Sequence, residues 1–362
     1  MKLRNLFAVT VLTLFSSSIY AFEFSAFASA SYLSGDDEHN NFTLGHLELV
    51  GQRNLSEQTY AIIDVIFEAH NSHSSTEIER LSINRTFSDT FEIGIGRYMQ
   101  PLGFWNHNFA HGSLSQTTIS RPFMIDIEHH DKGFLPSHLI GLLMKGETDS
   151  WTYQFGIGNT DSIDSSPAIG PSGPARIKPI NTDAPNNDLT LIFRSTYAVT
   201  DNFELGLMLG SHKYSEISDA GLIEYGEVLF EEQFASLDFN YSYGDFHTFA
   251  EYYSMRFDDN QDLSGGSIIA NDDTYNASAY YIQVGYRVMP DLTISTRYES
   301  LDYDDNATLF LVQGIVSQTQ TLLALSYMLE ESNILRFEAK QVEPDVGDSD
   351  TIIALQWYFF LL

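Results

Sequence analysis

The sequence of 362 residues predicts an all-β fold, a transmembrane antiparallel β-barrel of about sixteen strands. Three observations predict it. Sixteen runs of ~8–13 residues alternate between apolar and polar side chains with a period of two, as a strand with one apolar face must. The connections between them alternate strictly between short and long, seven against eight. Beyond an N-terminal leader, no stretch supplies the ~18 consecutive apolar residues of a membrane helix.

The runs, in order, are 22–33, 41–53, 57–69, 76–87, 90–98, 138–146, 150–158, 188–199, 202–212, 231–243, 245–256, 276–288, 291–302, 317–329, 332–342 and 350–361. Alternation is plainest in the eighth and ninth: Leu189, Leu191, Phe193, Tyr197 and Val199 share one face, and Phe203, Leu205, Leu207 and Leu209 share another. Short connections fall at Asn54–Ser56, Ser88–Asp89, Glu147–Asp149, Thr200–Asp201, Gly244, Met289–Pro290 and Glu330–Glu331. Long ones fall at 34–40, 70–75, 99–137, 159–187, 213–230, 257–275, 303–316 and 343–349. Short turns at one end, long loops at the other and an even strand count are the pattern of an outer-membrane barrel.

The polar face carries Asp64, Glu68, Arg80, Asn84, Arg194, Glu204, Gln283, Arg287, Arg297, Glu299, Arg336, Glu338 and Lys340. In a soluble sandwich these side chains would meet outside water; in a membrane barrel they line an aqueous lumen. The aromatic share, 14%, and the placing of Tyr197, Tyr241, Tyr286, Tyr298, Tyr327, Trp357 and Phe359 on apolar faces favour the barrel. So does the leader. Lys2 and Arg4, the apolar run Leu6–Phe15 and the small-residue exit to Ala21 read as a secretory signal over 1–21, too short to be a membrane span. The barrel domain then occupies 22–362, and its first strand begins too close to the cleavage site for an N-terminal plug.

Composition excludes several functions. The formal charge is −31, which argues against nucleic acid, whose phosphates need clustered Lys and Arg. No Cys is present, so there is neither a disulfide scaffold nor a thiolate nucleophile or metal ligand. No Gly-x-Ser-x-Gly, His-Glu-x-x-His or nucleotide-binding glycine loop occurs, and Ser113 and Ser115 beside His111 read as a chance neighbourhood, so no enzyme and no cofactor are expected. His70, His73, His129 and His130 are the only metal candidates, and solvated loop histidines are the favoured reading.

The connection 99–137 stands apart. A loop this long is functional or disordered, and Phe104, Trp105, Phe109, Phe123 and Phe134 argue against disorder. It is expected to fold into the bore and narrow it, with Trp105, Arg121, Asp126, Glu128 and Asp131 shaping a constriction. Acidic residues crowd the other long loops, such as Asp36-Asp37-Glu38 and Asp302 to Asp305, whereas Arg80, Arg194, Arg287, Arg297, Arg336 and Lys340 fall on lumen positions. A basic wall opposite an acidic loop would set a transverse field across the constriction. The alternative is structural, with these cations pairing with Glu204, Glu299 and Glu338. The two are compatible.

The run Gly96-Arg97-Tyr98…Pro101-Leu102-Gly103…Asn106 resembles the corresponding segment of the porin branch that includes phosphate-selective porins. The terminal strand Ile352 to Leu362 is similar to the closing strand of Gram-negative outer-membrane proteins, with two Leu after Phe360. The resemblance implies a porin passing small hydrophilic solutes across the outer membrane, and a homotrimer. Sixteen Lys and Arg outside the leader and an acidic outer face point to a modest cation preference rather than phosphate selectivity. A non-conducting surface barrel, whose acidic loops bind ions, lipopolysaccharide or a protein, is the alternative.

Overall fold

The computed structural model describes residues 23–35, 41–69, 74–109, 116–125, 134–135, 137–160, 162–164, 176–178, 189–215, 228–259, 273–305, 307, 309–310, 315–331 and 333–361. The leader 1–21 lies outside them. In chain order the strands are β1 Glu23–Ser34, β2 Asn41–Ser56, β3 Thr59–Ala69, β4 Ser74–Ser88, β5 Phe91–Met99, β6 His138–Glu147, β7 Trp151–Asn159, β8 Ser162–Asp164 and β9 Arg176–Lys178. They continue as β10 Thr190–Thr200, β11 Phe203–Ser215, β12 Val228–Tyr243, β13 Phe246–Asp259, β14 Asp273–Met289, β15 Leu292–Tyr303, β16 Gln318–Glu330, β17 Asn333–Pro344 and β18 Asp350–Phe360. A helix, α1, spans Gly103–Phe109, and a 3-10 turn spans Phe123–Ile125.

Sixteen of these strands form one closed antiparallel barrel. Each pairs with its sequence neighbours, and β1 closes the ring against β18 from Phe27↔Phe360 to Ser34↔Ile353. Closure satisfies every strand on both edges, which a hydrocarbon medium demands because it offers no water to an unpaired N–H or C=O. Short turns gather at one rim. At β12–β13 the turn residue Gly244 has φ +60°, the left-handed conformation that a tight hairpin needs and glycine adopts without strain.

Several strands run further than the sequence pattern predicts, three of them at acidic ends. β12 begins at Val228 rather than 231, β13 ends at Asp259 rather than 256, and β14 begins at Asp273 rather than 276. The ladder pairs Phe230↔Asp259 and Asp259↔Asp273 hold these acidic residues in strand above the long-loop rim, where charge alone reads as loop. The long connection 159–187 contains the two-stranded sheet β8–β9.

The apolar face points outward. Leu191, Phe193, Leu205, Leu207, Leu209 and Leu237 are all exposed, while Arg194 between them is buried. Near the short-turn rim the outer surface carries exposed Trp151, Tyr153, Tyr197, Tyr241, Tyr243, Tyr286, Tyr327 and Trp357, an aromatic girdle of the kind that sits at a membrane interface.

The interior corrects one expectation. On β11 to β14 the lumen face is not polar: Met208, Phe234, Phe249, Tyr253, Met255, Phe257, Tyr275 and Tyr281 point inward and are buried. They form one cluster with Leu102, Phe104, Trp105, Met124, Ile125 and Phe134 of the connection between β5 and β6. That third loop supplies apolar partners inside the bore, so these side chains pack against it.

The outward face gives a direct test. Leu237 lies midway along β12 and is 61% exposed. Leu237→Lys should cost roughly 2–4 kcal/mol at mid-membrane depth, measured as a lower denaturant midpoint for folding into lipid vesicles.

Candidate functional site

The third loop leaves β5 and returns to β6 through a hydrogen-bonded neck. Gln100 N–H donates to the Ser137 carbonyl at 2.8 Å, and Asn106 Nδ2 donates to the carbonyls of Gln100 at 2.9 Å and Ser137 at 3.2 Å. The chain then turns inward at Gly103, φ +59°. A Cβ at Gly103 would collide with the Glu251 carboxylate and the Tyr253 hydroxyl, so glycine is required both by the backbone and by the close approach.

Three wall carboxylates hold the loop. Glu251 of β13 accepts from Trp105 N–H at 2.5 Å and the Tyr281 hydroxyl at 2.5 Å, and also from the Tyr253 hydroxyl. Glu299 of β15 accepts from Phe123 N–H at 2.7 Å. Glu338 of β17 accepts from Ile119 N–H at 2.8 Å and from the Ser120 hydroxyl at 2.5 Å. A buried carboxylate is tolerable only when donors surround it, and the loop's unpaired backbone N–H groups provide them. Aromatic contacts complete the docking: Phe104 lies 5.0 Å from Phe249, ring centre to ring centre, Trp105 lies 5.8 Å from Phe249, and Phe134 lies 5.1 Å from Phe310.

The predicted cations fall in distinct places. Arg297 lies beneath the loop rather than across the bore from it. It pairs with Glu299 at 2.8 Å, donates to the carbonyls of Ser120 at 3.1 Å and Arg121 at 2.7 Å, and sits 5.3 Å over the Trp105 ring. The loop covers that face, so its charge is spent on carbonyls instead of solution. Arg194 pairs in bidentate fashion with Asp238, at 2.5 and 2.9 Å, rather than with Glu204. Asp238 stands nearer because its strand presents it across the same lumen face. Arg80 bridges to Asp64 at 2.9 Å. Arg287 reaches the short-turn rim, exposed, 3.0 Å from Asp245. Arg336 donates to Gln356 at 2.8 Å over the Tyr358 ring, and Lys340 is buried on the same strand.

Glu204 is half-buried near the short-turn rim opposite Asn240, and Glu68 stands opposite His46 in the ladder, its side chain outside the described set. Asp126, Glu128, Asp131 and the metal candidates His70, His73, His129 and His130 lie outside the described residues. Among those described, no cluster of three His, Asp or Glu is placed to hold a metal.

Sequence reasoning missed Glu251, Asp238, Tyr253 and Tyr281. A signal was available on β13, where Phe249, Tyr253, Met255 and Phe257 alternate with the smaller Thr248, Ala250 and Ser254. Four large apolar side chains of this strand face inward, and buried inward rings need apolar partners within the lumen.

Two cavities lie under the loop toward the short-turn rim. One of 430 Å³ is lined by Gln116, Thr117, Asp245, His247, Arg287 and neighbouring turn residues. The other, of 270 Å³, is lined by Phe104, Trp105, Phe109, Asn240, Phe249, Gln283 and residues shared with the first. On α1, desolvation within the bore together with the nearby Arg194 and Lys145 charges pushes the His107 imidazole down to about 4, against a weaker opposing pull from Asp238.

The model of the family described as phosphate-selective porin O and P matches residues 37–308. No curated protein sequence matches the chain. Among solved structures, the chain is similar to an anion-selective porin from Comamonas acidovorans, at 12% identity and TM-score 0.64, covering 94% of this chain and 99% of that one. It is also similar to the outer membrane channel DcaP of Acinetobacter baumannii, at 14% identity and TM-score 0.63, covering 94% and 97%. A trimer form of OmpT from Vibrio cholerae matches at 9% identity and TM-score 0.61, covering 94% and 99%.

Two outcomes are expected from the loop anchors. Glu251→Ala leaves three buried donors without their acceptor, at ~1–3 kcal/mol for each unsatisfied group; proteolysis should then cut the third loop while the barrel keeps its gel mobility. His107 also makes loop docking depend on pH. Its ordinary value is 6.5 and its docked value about 4, so the released loop binds more protons between those limits. Docking therefore weakens as pH falls through that window. Current noise in a bilayer should rise from pH 6.5 to 4, and less so in His107→Gln.

Proposed function

This chain belongs to the phosphate-selective porin O and P family and is an outer-membrane channel; on that premise we propose that it passes small hydrophilic solutes and ions by diffusion, with a modest preference for cations. The preference rests on one observation. Arg80, Arg194, Arg287 and Arg297 are each salt-bridged to a carboxylate, so most of the predicted lumen arginines are charge-matched. Acidic long loops would add a negative mouth, which concentrates cations over a Debye length of ~8 Å at physiological salt.

Within this reading, residues 1–21 direct export, and 22–362 form the barrel with 99–137 as its constriction loop. Trp105 and Arg121 would border the passage together with Asp126, Glu128 and Asp131. The lipid bilayer and lipopolysaccharide are the surroundings of the barrel, and the solutes are its transient partners.

The reading extends to a homotrimer. Among the described residues, no Tyr or Trp faces outward on β2 to β6, where the girdle is interrupted. Arg53 and Arg97 fall instead on that outward face, half-buried. A charge facing lipid is costly, whereas one facing a second copy can be hydrogen-bonded.

The family description and the Comamonas neighbour are compatible with an alternative, an anion- or phosphate-selective channel. A planar bilayer under a KCl gradient separates the two. A reversal potential of mild cation sign, with closure in three equal steps at high voltage, is the expected result. A strong anion sign would overturn the preference, single-step closure the trimer, and silence from an inserted barrel the pore.

A further inference from the structure

We propose that the space beneath the third loop is a docking station for neutral polyhydroxylated solutes of saccharide type, a reading that rests on the diffusion pore and names a substrate class for it. The two cavities adjoin, sharing Gln116, Thr117, Ser242 and His247, so they form one vestibule between the loop and the short-turn rim. A solute leaving the constriction toward the periplasm passes through it.

The chemistry of the lining selects the class. Its charges nearly cancel: Arg287 is paired with Asp245 at 3.0 Å, which leaves Asp291 as a single further carboxylate. A phosphate would need several unmatched cations here, and a free cation several unmatched carboxylates. What remains is dipolar: the amides of Gln116, Asn240 and Gln283, the hydroxyls of Ser242 and Thr293, and the His247 imidazole. Groups of this kind both donate and accept, as sugar hydroxyls do.

One atom is poised for such a partner. Thr117 Oγ1 accepts from Gln283 at 3.2 Å and from Ser295 at 2.7 Å, which directs its own proton elsewhere. Against the polar side stands an aromatic one, Phe104, Trp105, Phe109 and Phe249. An apolar ring surface opposite convergent polar groups matches a pyranose, whose faces present C–H bonds and whose rim presents hydroxyls. A small ion would leave the aromatic side unused.

The sequence supplies a reporter. Its three Trp are Trp105 in the vestibule and Trp151 and Trp357 on the lipid face, 51% and 49% exposed. In Trp151→Phe/Trp357→Phe, only Trp105 fluoresces. Titration with maltose should give a saturable change in its emission, with glycerol at equal viscosity giving none. Gln116→Ala/His247→Ala in the same background should weaken the apparent affinity about tenfold, a loss of two hydrogen-bonding groups. If that variant fails to assemble, Gln116→Ala alone serves, since Gln116 belongs to the loop and not to the barrel ladder. No saturable change, an unaltered affinity in the variants, or an equal response to potassium phosphate would overturn the proposal. Conductance of the same protein without sugar is read separately: an open pore with no maltose response refutes the docking station alone, and a silent barrel refutes the pore.

Discussion

The absence of water in the hydrocarbon core is the constraint on which the rest of this structure depends. Each strand must give all of its backbone hydrogen bonds to two neighbours, so the sheet must close, and the pairing of β1 with β18 is what closes it. Closure fixes which side each residue faces. Period-two alternation then places Leu207 and Leu209 toward lipid and Met208 toward the lumen, with no further choice left to the chain.

A ring of sixteen strands encloses more room than its own side chains fill, and the protein resolves this by lending a loop to its interior. The third loop brings apolar rings to an apolar wall and backbone donors to buried carboxylates. Each side removes a penalty that the other would otherwise carry: Glu251, Glu299 and Glu338 need donors, and the irregular backbone at Trp105, Phe123 and Ile119 needs acceptors. The lumen is therefore asymmetric. Aromatic packing lies on the β11 to β14 side, and polar pairs such as Asp64 with Arg80 and Glu79 with His138 lie on the other.

Most of the barrel was legible in the sequence because the two signals that specify it are local. Alternation is read within one strand, and turn length between two. The outward girdle at Tyr197, Tyr241, Tyr286 and Trp357 followed from the same pattern. The partners inside the bore were not legible. Asp238 and Glu204 both lie on lumen-facing positions, and only the assembled ring decides that Arg194 meets the first. Nor does an inward Phe249 or Tyr253 differ, residue by residue, from one that faces lipid; the distinction lies in the loop that covers it. Acidic ends of β12 to β14 misled for a related reason, since ladder pairing with a neighbour overrides composition.

The three anchors of the loop also impose a chronology on assembly. Trp105, Phe123 and Ile119 find their acceptors 146, 176 and 219 residues further along the chain, on β13, β15 and β17. Contacts so distant in sequence form late, after the intervening chain has been ordered. A loop made in the first third of the polypeptide therefore waits for strands made in the last third. Because a closed ring offers it no way in from the side, it must already be within the curvature of the nascent sheet when β18 meets β1. The narrowing of the bore is in this sense the final act of folding, and the barrel is completed around its own obstruction.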